Sequence, residues 1–475
     1  MVPAPVPSKW DSISDVVIIG GGTGGLPAGI TVTESKQKAV ILESRPQCGG
    51  SLGMVVGAFA IAGSDEQKAQ GIKDTPDIYY DDLVKVCHSD PAIARAFADN
   101  QIKSYNILKK YGMKWPGIVP LPGHSKTRGL GWLLGYGPKI VKAYETGARS
   151  SGVEILTRHN ATRLIKDDKS GRIIGVVATD DKGATKYFKA TRAVIITTGG
   201  FGQNKEMVQE YAPHMVNAIP KMPIGHQGGG LKMALDVGAA TRDISVAVAG
   251  SWPVDSETHS RCIWALDWGG IMVNVNGNRF HMESSDEGYY GKMTGAAMKQ
   301  PGGVYWVLFD EKIMGNIGRI EGTEERNQMH IKDIEHCKRM KANSLDELAN
   351  IAGINASGLK AAIEKYNSDI DKFGYDTVYG RKFQMGLARP IVKINPPYYA
   401  VKCVTSTTSM KGGVKINAKC QVVNNYGEVI PGLYAAGEVA GGLWTTSYML
   451  AVMTSGAATQ GIIAAENAVK ETPAK

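Results

Sequence analysis

The feature of the sequence that most constrains the fold is a cluster of glycines directly after a short apolar run. Residues 15–19 (DVVII) have the β-branched pattern of a buried strand, and Gly20, Gly22 and Gly25 follow as G-x-G-x-x-G. A helical stretch of small residues comes next, and a second apolar run ends at Glu43. This order of strand, tight turn, helix and strand predicts a βαβ unit.

Each glycine of this turn has a separate physical task. Gly20 makes the turn, Gly22 lets the backbone approach a pyrophosphate, and Gly25 packs the helix on the strand. The helix N-terminus stabilises phosphate charge, and a carboxylate at Glu43 accepts hydrogen bonds from both ribose hydroxyls. The combination predicts a dinucleotide site rather than a glycine-rich surface turn.

Three further segments favour FAD over NAD. The backbone amides of residues 48–51 (CGGS) can close over a cofactor, and residues 193–202 (AVIITTGGFG) predict a strand that ends in two glycines. Residues 431–438 (PGLYAAGE) predict a strand that places the Glu438 carboxylate, from near the end of the chain, at the site. A site built from both ends of 475 residues suits an extended FAD. The contacts predicted in these segments and beside Glu43 are Ser44, Gly50, Ser51, Thr198, Gly199 and Glu438.

Two longer phrases, GGIMVNVNGNRFHMES (269–284) and MKGGVKIN (410–417), extend the pattern. With the cofactor segments, they resemble the fumarate reductase/succinate dehydrogenase flavoprotein superfamily, and in particular its 3-ketosteroid dehydrogenase branch. The resemblance implies an α/β fold, with a Rossmann-like FAD-binding domain in two chain segments and an inserted α+β capping domain that holds the substrate. The expected limits are 1–243 and 406–475 for the FAD-binding segments and 244–405 for the capping domain, with polar helices at 322–342 and 344–370.

The resemblance also implies further cofactor contacts. Ala161 would meet the adenine through its backbone, and Ser51 and Gly57 would line the pyrophosphate and the ribityl chain. The remaining implied contacts are Glu438 at the ribityl or the pyrophosphate end, Gly413, and the amides of Met453 and Thr454, which would face flavin O2 at a helix start. The histidine that attaches flavin covalently in membrane-bound relatives is missing around residues 48–57, so we expect non-covalent FAD.

The groups with which fumarate-type enzymes bind a dicarboxylate are absent. By resemblance, their substrate arginine falls on Tyr448, their proton-donating arginine near Glu287, and their two histidines near Gly250 and on Thr408 or Ser409. Removing a charged ligand of a carboxylate is costly, because the anion then lacks its charge-assisted hydrogen bonds. We therefore expect that neither fumarate nor a close dicarboxylate is the substrate.

Tyrosines are found instead, as in the 3-ketosteroid dehydrogenases. Tyr448 aligns with a tyrosine ahead of their last helix, and Tyr289 and Tyr290 follow Glu283 slightly later than the family spacing. A phenol can donate a hydrogen bond to a ketone oxygen, and a second tyrosine can exchange a proton at the adjacent carbon. The resemblance thus implies Tyr448, Tyr289 and Tyr290 as catalytic residues.

Substrate contacts are expected from four other residues. Lys411 precedes a glycine pair as in the steroid enzymes, and His124 and Arg128 occupy the 115–130 region, where those enzymes have a third tyrosine. Trp252 is one of several tryptophans that can wall an apolar pocket in the capping domain.

The leading hypothesis is an FAD-dependent oxidoreductase of a CH–CH bond beside a carbonyl, which desaturates a cyclic ketone or reduces an enone. The alternative is a reductase of an α,β-unsaturated carboxylate, of the fumarate reductase type, that recognises its substrate through Arg128, His124 or Lys411. A third hypothesis is a flavin-binding protein without turnover. Either enzyme needs an unidentified electron donor or acceptor, because the sequence has no haem or iron–sulfur ligand pattern.

Composition and charge argue against a nucleic-acid-binding protein, a metal-binding protein and a membrane-spanning protein. The net charge is +9 with scattered basic residues, and the six cysteines form no CxxC pair, so we expect no nucleic-acid partner and no metal. No signal peptide is visible, and the scattered thiols favour the cytoplasm. The uncharged stretch between Glu438 and Glu466 is interrupted by polar residues and predicts a buried segment rather than a membrane span.

Overall fold

The computed structural model of the chain describes residues 3–54, 57–121, 123–131, 136–254, 265–266, 268–283, 292–316, 339–384, 390–445 and 448–474. The chain forms two compact units. The first unit consists of Met1–Val248 with Thr408–Lys475, and the inserted unit is Ala249–Thr407. The inserted unit therefore begins at Ala249, five residues after the predicted start at residue 244. It ends at Thr407, two residues after the predicted end at residue 405.

Strands and helices alternate through much of the first unit. The described strands are, in chain order, β1 (Ser12–Ile19), β2 (Ala39–Glu43), β3 (Phe59–Ala60), β4 (Ile118–Val119), β5 (Gly129–Leu130), β6 (Glu154–Thr157), β7 (Asn160–Lys166), β8 (Ile173–Thr179), β9 (Thr185–Ile196), β10 (Ile219–Pro220), β11 (Thr241–Arg242), β12 (Ala247–Pro253), β13 (Ile271–Val273), β14 (Val304–Asp310), β15 (Met340–Ala342), β16 (Tyr398–Met410), β17 (Gly413–Val414), β18 (Gln421–Val423) and β19 (Val429–Ala435). The described helices are α1 (Gly25–Glu34), α2 (Asp65–Ala69), α3 (Pro76–Asp82), α4 (Pro91–Lys110), α5 (Tyr136–Ser150), α6 (Lys205–Tyr211), α7 (Gly229–Asp236), α8 (Lys292–Met298), α9 (Glu311–Asn316), α10 (Leu345–Ala352), α11 (Ala356–Phe373) and α12 (Val452–Ala468).

The first unit is built around a parallel sheet in the order β19–β9–β1–β2–β6, and β18 joins antiparallel beside β19. β1 is central because residues 16–19 are apolar and β-branched, and each of them is at most 2% exposed. A strand covered on both faces needs such a continuous apolar run. The predicted βαβ unit is confirmed by β1, α1 and β2, since the two strands pair in parallel.

The carboxyl ends of the parallel strands bring the cofactor segments of the sequence to one edge of the sheet. Gly20 follows β1, Glu43 ends β2, Thr198 follows β9 and Glu438 follows β19. In open α/β sheets, ligands bind at this edge. The fold therefore collects segments that are far apart in the chain at a single place.

The last helix, α12, packs against α1 because both backbones can approach closely. A Cβ atom added at Gly461 would lie 2.0 Å from the Gly24 carbonyl oxygen. α12 is buried along most of its length, as predicted for the uncharged stretch that contains it. Among the helices in the described ranges, we find none that is both long enough and apolar enough to cross a bilayer.

The inserted unit has an antiparallel sheet in which β14 lies between β13 and β16, and β15 also pairs with β16. Its core includes Trp306, Phe309 and Tyr399, and the buried faces of α10 and α11 contribute further apolar residues. Helices beside an antiparallel sheet make this unit α+β. The predicted fold class, a Rossmann-like α/β domain in two segments with an inserted α+β domain, is confirmed.

The helices predicted for the inserted unit need two corrections. The end of the helix expected at 322–342 is wrong, because Met340–Ala342 forms β15, and residues 317–338 lie outside the described residues. The helix expected at 344–370 is two helices, α10 and α11. Gly353 ends α10 with φ +70°, and the Asn355 side chain caps α11 by accepting a hydrogen bond from the Gly358 N–H.

Candidate functional site

The glycine turn of residues 20–25 combines tight packing with one open face. A Cβ atom at Gly25 would lie 1.9 Å from the Gly20 carbonyl oxygen, and one at Gly20, where φ is +107°, would lie 2.6 Å from the Thr197 carbonyl oxygen. Among the described residues, a Cβ atom at Gly22 would meet only the Thr197 oxygen, at 4.0 Å. Packing therefore requires Gly20 and Gly25, whereas Gly22 leaves the free space that a pyrophosphate needs.

Glu43 is held against this turn by backbone amides. Its Oε2 accepts a hydrogen bond from the Gly21 N–H at 2.8 Å, and its Oε1 accepts one from the Arg45 N–H at 2.8 Å. The Ser44 hydroxyl is 3.4 Å from the same Oε1. The carboxylate is thus fixed at the end of β2 beside the glycine turn, which fits the predicted role at the ribose.

The segment of residues 48–57 approaches the same turn. The Gly49 N–H donates to the Gly21 carbonyl at 2.9 Å, and Gly50 has φ +50° and lies next to Gly22. A Cβ atom at Gly57, where φ is +83°, would lie 2.0 Å from the Gly137 nitrogen. The structure therefore places Gly50 at the open face of the glycine turn and explains Gly57 by its contact with α5.

The end of β9 and the end of β19 meet at a buried carboxylate. Glu438 accepts a hydrogen bond from the Met410 N–H at 2.9 Å, and a Cβ atom at Gly200 would lie 2.6 Å from the Glu438 Oε1. Gly199 has φ +74°. The Thr198 hydroxyl is buried and has no hydrogen-bond partner in the part of the chain that the structure describes. This hydroxyl packs against α7, since a Cβ atom at Gly230 would lie 2.1 Å from its oxygen.

His226 is a member of this cluster that the sequence analysis missed. Its Nε2 lies 3.2 Å from the Ser51 hydroxyl, and its Nδ1 lies 3.5 Å from the Glu438 Oε1. Burial works to lower the pKa of this imidazole, but the Glu438 carboxylate outweighs burial and holds the pKa above its usual value. The only local signal is a histidine within a glycine-rich stretch (GHQGGG, 225–230), which does not identify a partner.

The start of α12 follows a second turn, residues 448–451, which we call the tyrosine turn. Ala451 has φ +68°, and the helical hydrogen bonds begin with the Ser455 N–H, which donates to the Ala451 carbonyl at 3.2 Å. The amides of Met453 and Thr454 precede that bond and belong to the group of N–H donors that a helix start leaves open. This geometry fits their predicted role at flavin O2.

Tyr448 opens the tyrosine turn as a neutral phenol. Burial raises the pKa of Tyr448 far above its usual range, the Cys87 thiol and Glu438 add to the increase, and the Ala451 amide opposes it. Cys87 is itself buried, and burial raises the pKa of its thiol to about 11. The phenol therefore keeps its proton at physiological pH and can act only as a neutral hydrogen-bonding group.

Lys411 contributes a cation to the same neighbourhood. Its backbone N–H donates to the Val246 carbonyl at 2.7 Å, and its side chain is buried. Burial lowers the pKa of Lys411 to about 8, while Cys87 and Asp243 act in the opposite direction. The ammonium group is therefore mostly charged at neutral pH but loses its proton more readily than an ordinary lysine.

Arg128 is occupied by carboxylates of the protein. Its guanidinium forms a two-point ion pair with Asp74 (Nε–Oδ2 2.6 Å, Nη2–Oδ1 2.8 Å), contacts Asp82, and stacks on the Tyr79 ring at 4.2 Å. The side chain is fully buried. The structure does not support the hypothesis that Arg128 recognises a substrate, because its hydrogen-bonding fork is already used inside the fold.

His124 connects this buried ion pair to the tyrosine turn. Its Nε2–H donates to the Leu450 carbonyl at 2.8 Å, and its Nδ1 lies 3.4 Å from the Arg128 Nη1. Burial and the nearby Arg128 charge lower the pKa of His124 to about 4. The histidine is therefore neutral, and its ring is used to hold the segment that carries Tyr448.

The remaining predicted residues are placed as follows. Tyr289 and Tyr290 lie outside the described residues. Trp252 is buried in β12 of the inserted unit, at 7% exposure. A Cβ atom at Gly413 would lie 2.1 Å from the Val439 carbonyl oxygen, so strand packing explains that glycine, and Ala161 lies in β7 opposite Ala178.

Comparison with known proteins gives one family match. A family model described as an FAD binding domain matches residues 15–451. A fumarate reductase (cytochrome) of Shewanella frigidimarina is 28% identical over 473 residues, which cover 96% of this chain and 77% of the relative. The acrylate reductase flavoprotein subunit of Shewanella woodyi is 27% identical over 460 residues, covering 92% of this chain and 87% of the relative.

Among solved structures, a 3-ketosteroid Δ4-(5α)-dehydrogenase of Rhodococcus jostii RHA1 superimposes with a TM-score of 0.82. It is 21% identical, and the match covers 99% of this chain and 100% of that chain. At this identity the similarity establishes the fold alone.

Proposed function

The chain belongs to the FAD binding domain family, and from this premise we propose that it is an FAD-dependent oxidoreductase acting on a C–C bond next to a carboxyl or carbonyl group. The observation that carries the redox assignment is the glycine turn, with its open face at Gly22 and the fixed carboxylate of Glu43 beside it. Together with Ser51, Thr198 and Glu438 from the other cofactor segments, these residues would hold FAD non-covalently. When bound, FAD supplies the hydride chemistry, which no side chain of the protein can provide.

For the substrate, we propose an α,β-unsaturated monocarboxylate, and the reaction is reduction of its C=C bond. The relatives support a carboxylate more strongly than the cyclic ketone favoured by the sequence analysis, because fumarate and acrylate are both unsaturated acids. The side chains argue for one carboxyl group rather than two. Tyr448 occupies the position at which the resemblance expects an arginine, so a second carboxylate would lack its charged ligand.

Tyr448 and Lys411 would divide the recognition of this substrate. The Tyr448 phenol donates a hydrogen bond to a carboxyl oxygen, and its raised pKa keeps the donor protonated. Lys411 supplies positive charge to the same neighbourhood up to its pKa of about 8. Both groups withdraw electrons from a conjugated C=C bond, which favours hydride addition at the carbon β to the carboxyl group. The α carbon then takes up a proton, which Tyr289 or Tyr290 would supply in the role expected from the sequence.

A second candidate is the cyclic ketone or enone. The observation that favours it is the neutral state of Tyr448, since a phenol donates to a ketone oxygen without placing a charge beside an apolar ring. In that case Tyr448 keeps the same role, and Lys411 is not needed for recognition. The two candidates therefore differ in their dependence on Lys411 rather than on Tyr448.

A reoxidation experiment separates these substrates. The holoenzyme is reduced with dithionite without oxygen and mixed with acrylate, fumarate or cyclohex-2-enone, and the flavin absorbance is followed. We expect acrylate to reoxidise the flavin much faster than fumarate or the enone, and Lys411→Gln to slow acrylate alone. Preference for cyclohex-2-enone supports the second candidate, preference for fumarate contradicts the monocarboxylate, and no response to any of the three favours a binding protein without turnover.

A further inference from the structure

His226 lies in the loop between β10 and α7, and its backbone is fixed at both ends. Its N–H donates to the Pro223 carbonyl at 3.0 Å, and its carbonyl accepts a hydrogen bond from the Gln203 N–H at 3.1 Å. The residue is only 5% exposed. The imidazole is therefore held in one place inside the first unit.

The ring lies where three cofactor segments come together. Its Nε2 is 3.2 Å from the Ser51 hydroxyl, and its Nδ1 is 3.5 Å from the Glu438 Oε1. A Cβ atom on Gly199 would lie 2.6 Å from the same Nε2, so the ring packs directly on the glycine that follows β9. Each of these neighbours was predicted from the sequence to contact FAD, but His226 was not.

One ring nitrogen has hydrogen-bonding capacity left over. The separation of 3.5 Å between Nδ1 and Glu438 is an ion-pair distance, and within the described residues Nδ1 has no hydrogen-bond partner. Buried nitrogens are rarely left in this state unless a ligand or water completes their contacts. An unpaired nitrogen in a ring this deeply buried points to a polar ligand that completes its contacts.

We propose that His226 is an FAD-binding residue that carries a positive charge and pairs with the anionic diphosphate of the cofactor. The proposal deepens the proposed function and rests on its FAD site. The charged His226 ring supplies the FAD site with a full positive charge. The glycine turn cannot supply one, since backbone amides contribute only partial charges.

In the part of the chain that the structure describes, two charged side chains lie near this stretch of the loop. Glu438 approaches from the short helical turn after β19, and the Arg45 side chain, which follows β2, lies 3.5 Å from the position of a Cβ atom at Gly225. Ser51, Gly199, Pro223 and Gln203, which complete the surroundings, are uncharged. Glu438 favours the imidazolium, whereas the Arg45 atom nearest to the loop is its uncharged Cδ.

Protonation and FAD binding must then be coupled. The diphosphate adds negative charge beside the ring, so the pKa of His226 is higher in the complex than in the free protein. FAD affinity is therefore greatest at low pH and falls as the pH rises through the pKa of the complex. Above that pKa the affinity levels off at a lower value.

The test measures how fast the holoenzyme releases FAD after dilution, from the return of free FAD fluorescence between about pH 6 and about pH 9, the range in which histidines titrate. We expect release from the wild-type protein to accelerate roughly tenfold or more across this range, the change that a pKa difference of about one unit produces. His226→Gln should release FAD rapidly at every pH. His214→Gln, which removes an exposed histidine of the same unit, should behave as the wild type.

A second variant shows whether faster FAD release reflects the lost charge of His226 or only a defect in folding. Glu438→Gln removes the carboxylate that favours the imidazolium, so the midpoint of the pH profile should move to lower pH, whatever the overall release rate. If His226→Gln keeps the wild-type pH dependence, or if the midpoint of Glu438→Gln does not move, His226 has no such role. A pH-dependent release without turnover of any acid or enone would instead contradict the proposed function and leave the role of His226 intact.

Discussion

The two helices that pack together at the candidate site, α1 and α12, begin in different ways. α1 follows the glycine turn, where Gly20 adopts φ +107° without steric cost. α12 follows the tyrosine turn, where Ala451 adopts φ +68°, a conformation that costs an L-residue about 1–2 kcal/mol. The first turn forms without backbone strain because a glycine takes the positive φ, whereas the strained second turn needs support from elsewhere.

That support comes from side chains that are distant in sequence. His124 donates a hydrogen bond to the Leu450 carbonyl from 326 positions away, and Arg128 behind it is clamped by Asp74 and Asp82. The glycine turn at the cofactor end is therefore encoded locally, and the end that carries Tyr448 is encoded by long-range contacts. Substitutions can alter the second end without disturbing the first.

Removing Arg128 should have the largest effect, because it leaves the buried carboxylates of Asp74 and Asp82 without their positively charged partner. Arg128→Met should lower the free energy of unfolding by about 3–5 kcal/mol, measured by urea denaturation. The matched control is Arg149→Met, which removes an exposed arginine paired with Glu145 and should change stability by less than about 0.5 kcal/mol. Equal losses in the two variants would show that the buried ion pair does not support the tyrosine turn.

The glycine turn gives the next largest effect. Gly25→Ala should destabilise the protein by about 3 kcal/mol, because its Cβ atom would overlap the Gly20 carbonyl oxygen, and it should also lose FAD. Gly22→Ala, whose Cβ atom has room, should retain its melting temperature without FAD but bind FAD poorly. Flavin absorbance measures the FAD content of each variant, and thermal unfolding measures its stability. Normal FAD content in Gly22→Ala would mean that the open face of the turn does not receive the pyrophosphate.

Through His124, which holds the tyrosine turn, the stability of the protein should depend on pH. The pKa of His124 is lowered to about 4 in the folded protein from 6.5, so the stability due to the neutral ring is complete above pH 6.5 and is lost as the pH falls towards 4. His124→Gln should cost about 1 kcal/mol at neutral pH and lose less stability on acidification than the wild type. Parallel pH profiles of unfolding free energy for the two proteins would rule out a buried neutral histidine.

The smallest change in stability is expected at Ala451, the residue with the strained backbone. Ala451→Gly relieves the left-handed conformation but loses a buried methyl group and adds backbone entropy, so stability should change by less than about 0.5 kcal/mol. Ala458→Gly, at a buried and ordinary helical position of α12, should cost about 1 kcal/mol or more. Similar losses at the two positions would show that Ala451 carries no strain.

The same contrast explains how much the sequence could predict. The βαβ unit and the placement of Gly20, Gly22, Gly25 and Glu43 depend on residues within one short stretch, and these predictions agree with the structure. The break at Gly353 between α10 and α11 was missed, although a glycine two positions before an asparagine is a local signal for a helix end and a new start.

The contacts of His226 and Arg128 could not be predicted in this way. Ser51 and Glu438 lie 175 and 212 positions from His226, and Asp74 lies 54 positions from Arg128. None of these three spacings follows a helical or strand period, so only the folded structure shows which partners meet. Arg128 was accordingly assigned to the substrate, when it is bound to carboxylates of the protein itself.

The proposed function requires FAD and the Tyr448 phenol to act together on a C–C bond next to a carboxyl or carbonyl group. Its most direct test is the rate at which reduced flavin is reoxidised by the best substrate in Tyr448→Phe and in the wild-type holoenzyme. Loss of one hydrogen-bond donor to a developing negative charge should slow the variant by roughly a hundredfold, with FAD content unchanged. An equal rate in the two proteins would contradict the account.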